Sequence, residues 1–262
     1  MLDVPRGTAT RMRIATFNIL HGRCPDDDEV HVDRFARAVA ALDADVLALQ
    51  EVDRNQSRSR NADLTRVAAE AMGAPHHRFV AALAGSPGST WLAATGEEQP
   101  DDAAYGIALL SRHPLAAWQV VRLPPVPTRV PMRFGRGLPT WVRDEPRVAV
   151  AADVTTPSGD LTVVTTHLSF VPRWNRRQLR LLVNALERRR RPMVVSGDLN
   201  MDAETAERTS GLQSLAHHTT FPADGPREQL DHLLVDGALA VRSSEAVRLE
   251  VSDHRALYVD LD

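Results

Sequence analysis

Residues 193–200 read Met-Val-Val-Ser-Gly-Asp-Leu-Asn, a short apolar run that ends in two polar side chains, Asp198 and Asn200. A run of this kind suits a strand buried on both faces. Functional side chains in α/β sheets collect at the ends of such strands. The arrangement recurs on either side. Asn18 follows Ala15-Thr16-Phe17, Glu51 follows Leu47-Ala48-Leu49-Gln50, and His167 closes Val163-Val164-Thr165-Thr166. Asp231-His232 interrupts another apolar run, and Asp253-His254 precedes the last one. A lone aspartate after a strand is commonly a turn former or a helix cap. Six polar features at six strand ends point instead to a shared site.

Further strands are expected over residues 105–111, 148–154 and 161–167, the last two joined by the turn signal Pro157-Ser158-Gly159-Asp160. Phe35, Val39 and Leu42 share one face of an expected helix, with Asp33 as its cap. Leu64, Val67, Ala68, Ala71 and Met72 form a second amphipathic stripe, which Gly73 ends. Leu179, Leu182, Val183 and Leu186 mark a third, with the Arg188–Arg191 run at its C-terminal end to complement the helix dipole. Residues 85–102 read as a loop. Residues 122–146, dense in proline and arginine, read as a long irregular insertion, either a lid or binding loop or a disordered segment. Strands and helices alternate in both halves without a linker, so one α/β domain over residues 1–262 is expected.

Composition removes several classes. The 262 residues hold 31 basic and 34 acidic side chains, for a net charge of −3. That balance argues against a broad nucleic-acid-binding face, though it leaves room for a local basic groove. No lysine occurs, which excludes Schiff-base chemistry and a P-loop. The single cysteine, Cys24, excludes an internal disulfide framework and a cysteine zinc cluster. The opening residues carry no apolar leader and no stretch is long enough to span a membrane, so a cytoplasmic protein is expected.

The strand-end residues have a coherent chemistry. Carboxylates with an asparagine are hard oxygen ligands suited to Mg²⁺ or Mn²⁺. Zinc is disfavoured by the absence of the matching histidine or cysteine spacings. A calcium loop starting at Asp198 fails at Ala203 and Thr209, where a glycine and a glutamate belong. Histidines free of metal duty can hold phosphate oxygens or move protons. Together these groups suit attack of water on phosphorus.

The chain resembles the endonuclease/exonuclease/phosphatase superfamily. The resemblance rests on Thr16-Phe17-Asn18-Ile19, Leu49-Gln50-Glu51-Val52, Tyr105-Gly106-Ile107-Ala108-Leu109-Leu110-Ser111, Thr166-His167-Leu168, Gly197-Asp198-Leu199-Asn200, Leu230-Asp231-His232 and Ser252-Asp253-His254, in that order across nearly the whole chain. It implies a four-layer α/β/β/α sandwich of two packed mixed β-sheets flanked by helices. It also implies a metal held by Glu51 with Asn18 and Asp253 close by, and water oriented or deprotonated by Asp198 with Asn200 assisting. Asp231 would orient His254, and His254 and His167 would contact the phosphate. Which of Asp198 and His254 is the base stays open. Asn18 and Asn200 would also touch substrate. Tyr105 is a candidate phosphate contact or a packed core residue. Arg129, Arg133, Arg136, Arg143 and Arg147 could supply anion-binding groups near the site or be solvated loop arginines, and Arg147, which opens a strand, is the candidate substrate contact among them. The histidine in Thr166-His167-Leu168 is closer to the sphingomyelinase and phosphatase branches than to DNA-cutting members, and aromatics are only 5%, few for base-stacking platforms. The expected substrate is therefore a small-molecule or lipid-headgroup phosphoester, with nucleic acid possible but not favoured. A sequence-nonspecific nuclease and a non-catalytic binding module are the alternatives.

Overall fold

Strand residues of this chain sort to opposite faces with period two, and that sorting builds the layers. A computed structural model describes residues 11–132 and 140–262. The first sheet comprises β1 (Met12–Asn18), β2 (Val46–Arg54), β3 (His76–Gly85), β4 (Trp91–Ala93) and β5 (Ala104–Ser111). The second comprises β6 (Leu115–Leu123), β9 (Arg147–Thr156), β10 (Gly159–His167), β11 (Met193–Asp198), β12 (Gln213–Ser214) and β13 (Asp231–Asp236). A separate hairpin pairs β7 (Val130–Met132) with β8 (Thr140–Val142), while β14 (Val241–Val247) and β15 (Ala256–Leu261) return to the first sheet. The strand orders are β14-β15-β1-β2-β5-β3-β4 and β12-β13-β11-β10-β9-β6. Both sheets are mixed, with β1–β2 and β10–β11 the parallel pairs.

In β2, Val46 and Ala48 pack between the sheets with Val150, Val163 and Leu233 of the second sheet. Their neighbours Leu47 and Leu49 face the other way, against Phe35, Val39 and Leu42 of α1 (Val32–Leu42) and Leu64 and Met72 of α2 (Leu64–Met72). On the far side Val164, Val195 and Leu234 pack against Leu179 and Leu182 of α3 (Pro172–Ala185) and Ala206 of α4 (Ala203–Ser210). Four layers result: helices, sheet, sheet, helices. Apolar area removed from water on both faces of each sheet supplies the main driving force.

Several expectations change in detail. The cap position of α1 is His31; Asp33 lies inside the first turn and pairs with Arg37 at 2.9 Å. Residues 85–102 are not wholly loop, because β4 adds to the edge of β3. The stretch from Arg122 begins in β6 and contains the β7–β8 hairpin. Arg133 and Arg136, like residues 1–10, lie outside the described residues. The third helix stops at Ala185, short of the arginine run. Arg189, Arg190 and Arg191 instead pair with Asp153, Asp160 and Asp236 on the rim of the second sheet. Ion pairing with carboxylates outweighs the weaker attraction of a helix terminus. Among the described residues no helix is long and apolar enough to cross a membrane.

Candidate active site

The parallel register of β10 and β11 places His167 opposite Asp198, and the antiparallel register of β11 and β13 places Asp198 opposite Asp231. Three chemically active side chains thus lie in one row across the second sheet. Gly197 makes the row possible. It adopts φ +138, and a Cβ there would stand 1.9 Å from the backbone oxygen of Thr166. Only glycine lets the two strands approach so closely.

The first sheet contributes from across the sandwich. The register of β2 against β5 slips between Leu49 and Val52, and Glu51 within that bulge adopts φ +58. A bulge re-aims a side chain. Here it brings the Glu51 carboxylate to Asn18 at the end of β1. The two hydrogens of Asn18 Nδ2 are shared between Glu51 Oε1 and Asp198 Oδ2, each at 3.0 Å. Gln50 ties the sheets together beneath this point, accepting from Thr16 Oγ1 at 3.3 Å and donating to Thr165 Oγ1 at 3.0 Å.

The last element of the site enters from the loop before β15. Ser252 Oγ donates to the backbone oxygen of Asn18 at 2.6 Å and accepts from the backbone N–H of His254 at 3.1 Å. His254 Nδ1 is then 2.8 Å from Asp231 Oδ2, and its ring lies 4.9 Å from that of Phe221. Asp198 Oδ2 becomes the hub. Besides Asn18, it has His167 Nε2 at 3.6 Å and His254 Nε2 at 3.8 Å. Its other oxygen accepts the backbone N–H of Asn200 at 2.9 Å.

Electrostatics separate the two histidines. Burial works against charge on His254, yet the adjacent carboxylates of Asp231, Asp198 and Asp253 raise its pKa to about 10. That ring is an imidazolium at neutral pH. Burial, with Arg147 and His254 nearby, holds His167 well below its usual range, so it is neutral. A neutral His167 can accept from Asn200 Nδ2, 3.3 Å from its Nε2. Desolvation raises Asp198 above the ordinary carboxylate range, and it raises Glu51 to about 7 even though Asn18 opposes the shift.

Tyr105 and Arg147 are buried and line one small cavity with His167. Arg147 is neutralised by Asp144 at 2.7 Å and by Glu145 at 3.6 Å. Among the described residues Arg129 and Arg143 make no ion pair. Asp253 turns one carboxylate oxygen, Oδ1, into a buried position without a hydrogen-bond partner.

Four further groups that no strand-end pattern marks also shape the site. Glu145 adds negative charge near Glu51. Ser252 links Asn18 to His254. Asn175 Nδ2 donates to the backbone oxygen of Asn200 at 2.7 Å, fixing that residue's left-handed turn (φ +51). Gln178 accepts from the backbone N–H of Ser169 and donates to Pro124 O. Asn175 and Gln178 carried a signal, since they occupy the stripe that Leu179, Leu182 and Leu186 share, where apolar side chains are expected.

The donors suit a hard cation. Glu51, half-buried, and Asp198, buried, are carboxylates bridged by the neutral amide of Asn18, and Asp253, next to His254 in sequence, offers an unpartnered oxygen. Asp198, Asp231 and His254 also lie close enough for one ion to touch all three. A charged His254 bonded to Asp231 is a poor ligand, which leaves the Glu51 side as the better place for an ion.

Residues 15–254 match the model of the Endonuclease/Exonuclease/phosphatase family. The chain belongs to that family. It is accordingly an enzyme of the phosphoester-hydrolase class. Among solved structures, an endonuclease/exonuclease/phosphatase from Beutenbergia cavernae superposes with a TM-score of 0.69 at 24% identity, over 96% of this chain and 71% of that one. Sphingomyelinase C from Streptomyces griseocarneus is similar with a TM-score of 0.64 at 17% identity, covering 96% and 99%. A mannosyl-6-phosphatase from Bacteroides thetaiotaomicron gives 0.65 at 15%, with coverage of 96% and 99%. These likenesses extend the fold assignment of two mixed sheets between helices. No curated protein matches the sequence.

Proposed function

We propose that this family member is a divalent-metal-dependent phosphodiesterase acting on a small-molecule or lipid-headgroup substrate, with residues 1–262 as one catalytic domain. The observation that carries the reading is the Asp198 carboxylate, set between a charged His254, a neutral His167 and the amide of Asn18. Glu51, Asn18 and Asp253 would hold Mg²⁺ or Mn²⁺, which would supply Lewis acidity at the phosphoryl oxygens.

The chain's own groups divide the remaining work. Asp198, with its raised proton affinity, takes the proton of the attacking water. His254 brings a positive charge and an N–H to the phosphoryl group, where negative charge develops during in-line attack. Asp231 keeps that ring charged and oriented. His167 and Asn200 border the same space and offer neutral polar contacts. Two similar folds bear the names sphingomyelinase C and mannosyl-6-phosphatase, which supports a small lipid or sugar phosphoester as the substrate class.

Turnover of bis-p-nitrophenyl phosphate and of its monoester, with Mg²⁺ or Mn²⁺, tests the diesterase reading. Faster cleavage of the diester supports it; cleavage of the monoester alone makes the protein a phosphatase. A sequence-nonspecific nuclease is the alternative, and plasmid nicking with inertness toward the small diester would favour it.

A further inference from the structure

The helix α3 differs from the other three in how its arginines are partnered. Each of α1, α2 and α4 carries an acid–arginine pair at i,i+4: Asp33–Arg37, Arg66–Glu70 and Glu204–Arg208. The sequence of α3, Pro-Arg-Trp-Asn-Arg-Arg-Gln-Leu-Arg-Leu-Leu-Val-Asn-Ala, contains no acidic residue. Arg173, Arg176, Arg177 and Arg180 fall at i, i+3, i+4 and i+7, so they share one exposed stripe. Among the described residues, none of the four has a carboxylate within salt-bridge distance. Like charges at these spacings repel and weaken the helix. In a chain of net charge −3 this is a local reversal of sign.

The stripe adjoins the site. Arg176 lines a cavity of about 380 Å³ together with Asn200, Asn175 and Arg227, whose guanidinium also lacks an ion-pair partner among the described residues. Of the acids lining it, Asp202 is engaged as the cap of α4, accepting from Thr205 N at 2.8 Å and from its hydroxyl at 2.9 Å. Glu228 stays exposed beside Arg227. Asn200 therefore borders both the proposed reaction centre and a pocket flanked by two guanidinium groups that make no salt bridge among the described residues. Arginine forks recognise phosphate through paired, charge-assisted hydrogen bonds.

We propose that this cavity is a second phosphate subsite, so that the substrate is a phosphoester bearing another phosphate group beyond the one cleaved. The inference rests on the phosphodiesterase reading for the identity of the cleaved group. The subsite itself is tested by binding alone. Isothermal calorimetry would compare fructose 1,6-bisphosphate with fructose 6-phosphate, two probes that differ by one phosphate. The wild-type chain binds the bisphosphate about tenfold more tightly, the yield of one or two charge-assisted bonds. The exposed double variant Arg176→Ala/Arg227→Ala loses that preference while keeping its thermal midpoint and its turnover of bis-p-nitrophenyl phosphate. An unchanged preference in the variant, or none in the wild type, overturns the subsite. Tight binding of a ten-residue oligothymidylate with no preference for the bisphosphate also overturns it, in favour of a nucleic-acid strand. Lost bisphosphate preference in the variant, with no turnover of any phosphoester by the wild type, would keep the subsite and sink the hydrolase reading alone.

Discussion

Asp231 Oδ2 lies 2.8 Å from Nδ1 of His254, while Nε2 of the same ring faces Asp198 Oδ2 at 3.8 Å. One carboxylate therefore holds the ring and another receives its free edge. Asp231→Asn preserves the volume and removes the charge that keeps the imidazole protonated. Activity toward a phosphodiester is expected to fall on the order of 10²-fold or more. The alkaline limb of its pH profile should move down from near pH 10, because His254, raised then by Asp198 and Asp253 alone, gives up its proton at lower pH. A loss of rate with an unshifted profile would contradict this role.

The hub and its charged neighbour should be individually indispensable. Asp198→Asn and His254→Ala are each expected to reduce kcat/KM on the order of 10²–10³-fold. The double variant should lose far less than the product of the two, since the groups act on one proton and one phosphate. Near-wild-type turnover in either single variant would dismiss the assignment.

Glu51 links the site to stability. Desolvation raises its folded pKa to about 7 from an ordinary value near 4.5, so the folded chain holds a proton that the unfolded chain releases. Stability from this group is present below about pH 4.5 and is lost as pH rises through 7. In EDTA, Glu51→Gln is expected to raise the thermal midpoint at pH 8 by roughly 2–4 °C, and to leave it unchanged at pH 4. The same variant should lose the midpoint increase that Mn²⁺ gives the wild type. Differential scanning fluorimetry at the two pH values reads both effects.

At the base of the site, Gly197→Ala would force a Cβ to within 1.9 Å of Thr166 O at a strained φ of +138. The expected cost is at least ~3 kcal/mol, enough to part the β10–β11 row or prevent folding. Chemical denaturation measures it. A destabilisation below about 1 kcal/mol would show that the strands can separate without harm.

The sequence disclosed strands whose residues are apolar on both faces, such as β2 and β11, and missed those at the rims. The edge strand β14 reads Val-Arg-Ser-Ser-Glu-Ala-Val and is mostly exposed, so it carries little apolar pattern. The outer strand β6 is only partly buried along most of its length. Strand ends identified the polar residues, but not that two sheets bring them together. Asn18 and Asp198 are 180 positions apart, and their hydrogen bond crosses between two sheets that Gln50–Thr165 and His254–Asp231 also join. Nothing local encodes such contacts. The four-layer arrangement was legible only through family resemblance. Asn175 and Gln178 were readable in principle, as polar residues where a helix should be apolar.

The claim that a cation held beside Glu51 drives phosphoester hydrolysis is tested most directly by one titration. Turnover of bis-p-nitrophenyl phosphate would be followed in EDTA-treated protein as Mn²⁺ is added back, for the wild type and for Glu51→Ala. No activity is expected without the ion, with saturable recovery in the wild type and no comparable recovery in the variant. Full turnover in EDTA, or equal recovery in both proteins, would contradict it.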